Sequence, residues 1–107
     1  MGGNALVEVT GLPAAPIDAA AAFHRDFAPQ VRSYAREGDV AVVFDHADHT
    51  HRGWRLAVVQ ELAREAAPRR VNAIEGEDER YVSELLYYLQ SAPGVTGQLL
   101  EVARDKD

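Results

Sequence analysis

Gly38-Asp39-Val40-Ala41-Val42-Val43-Phe44 decides the fold class. The five apolar, largely β-branched residues Val40 to Phe44 are too few for an ordinary helix and carry no alternating polar face. They read as a central strand of a parallel sheet, covered on both faces. Upstream, Ala5-Leu6-Val7-Glu8-Val9-Thr10 is a second short run of strand character, stopped by the turn chemistry of Gly11-Leu12-Pro13. Between the two strands, Phe23, Phe27, Val31 and Tyr34 recur at spacings of four, four and three, which places an apolar stripe on a helix from Ile17 to Tyr34. Pro29 inside that segment removes a backbone donor and crowds the preceding turn, so the helix kinks or ends there.

Downstream, the polar loop Asp45 to His51 leads to a helix from Arg52 to Ala67, closed by Pro68. Trp54, Val58 and Leu62 lie on one diagonal and Leu56, Val59 and Ala63 on another; this wide arc calls for a second helix or a second subunit besides the sheet. Val71-Asn72-Ala73-Ile74 reads as the third strand. Glu77, Asp78 and Glu79 put negative charge at the start of a helix whose buried stripe is Val82, Leu85, Leu86 and Leu89. Pro93-Gly94 ends it, Val95 to Val102 reads as the last strand, and Ala103 to Asp107 as a charged, frayed tail. Strands alternating with helices predict an α/β domain with a parallel sheet.

The chain has 107 residues, one domain's worth, and its 47% apolar and 26% charged content suits a packed core. A net charge of -6 repels nucleic acid and anionic lipid, so neither a nucleic acid nor a membrane is expected as partner. Without cysteine there is no thiolate nucleophile, thiolate metal site or disulfide. No apolar stretch has the length of a signal peptide or membrane span, so a soluble cytoplasmic protein is expected.

Leu62-Ala63-Arg64-Glu65-Ala66-Ala67-Pro68-Arg69-Arg70-Val71-Asn72-Ala73-Ile74-Glu75-Gly76 resembles the short-chain dehydrogenase/reductase family, in which the helix bearing the catalytic Tyr and Lys runs into a strand of this type. Val95-Thr96-Gly97-Gln98-Leu99-Leu100-Glu101-Val102 is similar to the family's closing strand, and Ala28-Pro29 with Gly38-Asp39-Val40 to the segment before its active-site serine. The resemblance covers the C-terminal half of such a protein. It implies a Rossmann-like half-domain of four parallel strands in sequential order with three helices, the last crossover left-handed and the last helix on the opposite face from the others. It also implies a homodimer, through the helix bearing Trp54, Val58 and Leu62 or the face of Tyr81, Leu85 and Tyr88.

The family's nucleotide half is missing. None of the eight glycines forms a phosphate-binding turn after a strand, and the sole lysine is Lys106, so no cofactor is expected. Ungapped counting back from Glu65 puts Arg52 at the family's lysine position, Asp48 at its tyrosine and Asp45 or His46 near its serine. An aspartate titrating near pH ~4 is already ionised where a phenol would donate its proton. Glu75-Gly76 also replaces the family's Pro-Gly at the substrate-loop entry. The chain is therefore expected to be a non-catalytic binding or assembly module. Two rivals stand beside this: an accessory subunit docking onto a full-length dehydrogenase, and a metal-assisted or acid-base site built from Asp45, His46, Asp48, His49 and His51. The plainer reading of that last cluster is a solvated loop in which Asp48 or Thr50 caps the next helix.

Overall fold

The structure, a computed structural model, describes residues 4–101. Along the chain lie β1 (Ala5–Val9), α1 (Pro16–Asp26), α2 (Ala28–Ala35), β2 (Val40–Phe44), a 3-10 turn (His49–His51), α3 (Arg52–Ala66), β3 (Val71–Glu75), α4 (Glu79–Gln90) and β4 (Leu99–Glu101). The strands form one parallel sheet in the order β1-β2-β3-β4. This is the α/β half-domain expected, but with four helices in place of three, because the Ile17–Tyr34 segment is two helices. The break falls at Phe27, ahead of Pro29, which sits in the first turn of α2 where its missing N–H costs nothing. A single helix would drive the Pro29 ring into the carbonyl of Arg25. The break also shifts the helical phase, so Ala35 is buried in place of Tyr34, which is 51% exposed.

Strand register sorts the side chains onto two faces. Val7, Val42, Ala73 and Leu99 stand in one row and Val9 and Phe44 in the next, all pointing towards α1, α2 and α3. Ile74, Val43 and Leu100 point the other way, towards α4. With strands in sequential order, a helix on the opposite face gives the β3-α4-β4 crossover the opposite hand to the two before it, as the family resemblance implies.

The core centres on Phe23, fully buried, whose ring lies 5.6 Å from Phe44 and 5.8 Å from Trp54 between centroids. These rings clamp α1, β2 and α3 together just below the end of β2 and so fix where the next loop begins. The wide arc of α3 is thereby accounted for inside the protomer: Val58 and Leu62 are buried against the sheet and α2, and Trp54 is half-buried.

Two expectations are corrected. β3 is buried along its whole length, whereas β2 alternates: Ala41 and Val43 are only half-buried because α4 packs over β3, and Leu6 on β1 is 46% exposed. The last strand begins at Leu99, not Val95. Gly97 adopts φ +73°, outside strand geometry, and the preceding residues are held by side chains instead. Asn72 Nδ2 donates to the Val95 carbonyl at 3.0 Å, its Oδ1 accepts from Gln98 N–H at 3.1 Å, and Thr96 Oγ1 accepts from Val71 N–H at 3.1 Å. Val102 and the tail from Ala103 lie outside the described residues.

Candidate functional site

In open parallel sheets ligands bind beyond the carboxyl ends of the strands. Here that place is occupied by the loop after β2, the start of α3 and the last residue of β3. Asp48 caps the 3-10 turn: its Oδ1 accepts from Thr50 N–H at 2.9 Å and from the Thr50 hydroxyl. Those two bonds to the ionised form hold the Asp48 carboxyl below the usual aspartate range, the hydroxyl contributing most. Asp48 is exposed and negatively charged at neutral pH, so it cannot take the proton-donating part of a phenol. Arg52, at the lysine position, points its Nε to Glu101 at 3.4 Å.

The histidines have separate partners. His51 is buried; its Nε2 donates to the Ala14 carbonyl at 3.0 Å and its Nδ1 accepts from Trp54 Nε1–H at 3.0 Å. Because a carbonyl only accepts and an indole N–H only donates, both ring nitrogens are committed and the proton is on Nε2. The ring thus ties the segment between β1 and α1 to α3. His46 has its Nδ1 3.9 Å from Glu75 Oε2, while His49 is exposed. Among the described residues no group of three His, Asp or Glu is placed to hold a metal ion. Asp45, His46, Asp48, His49 and His51 share a loop without converging on a point.

Arg55, which sequence reasoning passed over, and Glu75, read there only as a change at the substrate-loop entry, make the centre of this region. Arg55 is 2% exposed and Glu75 8%. Arg55 Nη1 donates to the Asp45 carbonyl at 2.8 Å and lies 3.5 Å from Glu75 Oε1, while Nη2 is 3.4 Å from Asp45 Oδ1. Glu75 Oε2 accepts from Ala47 N–H at 3.1 Å, and Glu77 Oε2 accepts from His46 N–H at 3.2 Å. The guanidinium carbon stands 4.4 Å from the centroid of the Phe44 ring, a cation–π contact. Arg55 Nε, also buried, has no hydrogen-bond partner among the described residues.

A buried charge persists only when paired, so this network fastens the loop across the ends of β2 and β3. The signal for it was present in the sequence. Arg55 lies three and four residues before Val58 and Val59 on the core-facing side of its helix, and a carboxylate ends the neighbouring strand.

The sequence model of the family described as short chain dehydrogenase-like protein matches residues 7–102. No curated protein and no solved structure matches the chain significantly. No helix among the described residues is long and apolar enough to cross a membrane.

Proposed function

Since the chain belongs to the short chain dehydrogenase-like family, we propose that it keeps the family's framework without its chemistry and acts as a homodimeric binding or assembly module. One observation carries this reading: buried Arg55 pairs with buried Glu75 and with half-exposed Asp45, joining the strand ends to one another in the place where a relative would receive substrate and coenzyme. The residues at the catalytic positions point the same way. Asp48 caps a turn and Arg52 meets Glu101.

Self-association is best supported on α4. Its outer surface shows Tyr87 at 71% and Tyr88 at 49% exposure beside the half-buried Tyr81 and Leu85, and tyrosine is favoured at interface centres. Light scattering at micromolar concentration should give twice the 11.7 kDa protomer mass, falling to one with Tyr87→Glu and Tyr88→Glu together. Calorimetric titration should give no heat with either nicotinamide coenzyme. Coenzyme binding would overturn the non-catalytic reading, and a wild-type monomer the dimeric one.

Among the described residues no strand pairs with the outer edge of β1, which favours a second reading, a subunit that adds its sheet to that of a full-length dehydrogenase. Co-purification from the native cell distinguishes it: a stoichiometric dehydrogenase partner would replace the homodimer.

A further inference from the structure

At the other end of the sheet from the loop just described, α2 and α3 border a cleft of about 580 Å3, a size common for small-molecule sites. Its floor includes Val31, Ala35, Leu62 and Ala66, and its rim carries Arg32, Arg36 and Arg69 with Glu65 as the only carboxylate. Arg32 spends its charge on Glu65, to which Nε and Nη2 donate at 2.6 and 2.8 Å in a bidentate pair that straps α2 to α3. The side chains of Arg36 and Arg69 make no ion pair or hydrogen bond among the described residues. Among the described residues the rim therefore has two cations without a charge partner, in a chain of net charge -6.

We propose that this cleft binds a small organic oxyanion, a carboxylate or phosphate on a short apolar body. Arg36 and Arg69 grip the head, and the body lies on Ala35 and Ala66. A guanidinium pair suits this head because each presents forked donors matched to two oxygens of one group. A second cleft of about 400 Å3 shares Arg32, Leu62 and Glu65 with the first, so a longer body would run beneath the Arg32–Glu65 strap towards Ala28 and Val58.

The site is remote from the strand ends and does not depend on the chain being non-catalytic. The test titrates the full chain with octanoate, octyl phosphate and octyltrimethylammonium below micelle-forming concentrations, following the Ala35 and Ala66 methyl resonances. One of the two anions should bind with dispersion of those methyls, the better binder identifying the head, while the cation leaves them unmoved. Arg36→Gln with Arg69→Gln should weaken binding by about tenfold or more, since each removed charge-assisted bond is worth a comparable factor. The urea midpoint should hold, because both side chains are exposed and make no bond among the described residues. Absence of binding by either anion at millimolar concentration, equal binding by the ammonium compound, or undiminished binding to the double variant would overturn the site.

Discussion

Replacing Glu75 by Gln should be among the most damaging single changes available outside the apolar core. The amide keeps the shape and an oxygen to accept from Ala47 N–H, so what is lost is charge. Arg55, with its side chain 3% exposed, would then face only the Asp45 carboxylate, which is 3.4 Å from Nη2 and itself 48% exposed. Removing one partner of a buried pair costs about 3–5 kcal/mol; with Asp45 remaining, the lower end, about 3 kcal/mol, is expected. In a domain of this size that is about 13 °C of melting temperature.

Arg55→Met should cost a similar amount by leaving Glu75 buried and unpaired. The double variant should lose less than the sum of the two, with a coupling of about 2 kcal/mol. Urea denaturation by linear extrapolation, with slopes unchanged across the four proteins, measures all the terms. A coupling below about 0.5 kcal/mol would refute the idea that these ion pairs hold the strand ends closed.

Gly97→Ala tests the turn before β4. The added methyl would stand 3.6 Å from Ala63 Cβ, ordinary contact, so the left-handed backbone alone should cost about 1–2 kcal/mol in a thermal melt. Loss of the Asp48 cap reads out by pH. Because the folded-state pKa of Asp48 is depressed, its contribution to stability is present above the ordinary aspartate pKa and disappears as pH falls through the folded value. Thr50→Val should bring the Asp48 carboxyl back towards its ordinary titration point, followed by carboxyl carbon resonances; an unchanged titration would remove the hydroxyl as cause.

The sheet was legible because its signal is local. Val40 to Phe44 is an apolar run and Val71 to Ile74 is apolar but for Asn72, and short runs of this kind suit strands packed against helices. The helix break at Phe27 was less so, since it depends on where the Pro29 ring meets the previous turn, one turn upstream of the proline. Val95 to Gln98 were misread because strand-like composition cannot reveal that Asn72, on the adjacent strand, would take over their backbone partners. The Asp45–His51 cluster looked chemical by composition. Its fate was decided by residues far along the chain, Ala14 for His51 and Glu75 for Ala47. Arg70 shows the same limit: nothing next to it in the sequence announces that it donates to Asp39 and to the carbonyls of Leu89 and Ala92 at and just past the end of α4.

The sequential strand order has a consequence for how the chain acquires its shape. Each crossover joins spatial neighbours, and the first and last strands never meet, so no long closure between the termini is required. A nascent chain emerging from the ribosome can lay down β1, α1, α2 and β2 as a pair of adjacent ribbons with their covering helices before α4 exists. The last unit, α4 with the three residues of β4, then docks onto a platform already built and rests mainly on β3. Amide exchange should follow that order in reverse, the α4 amides opening at lower free energy than those of β2.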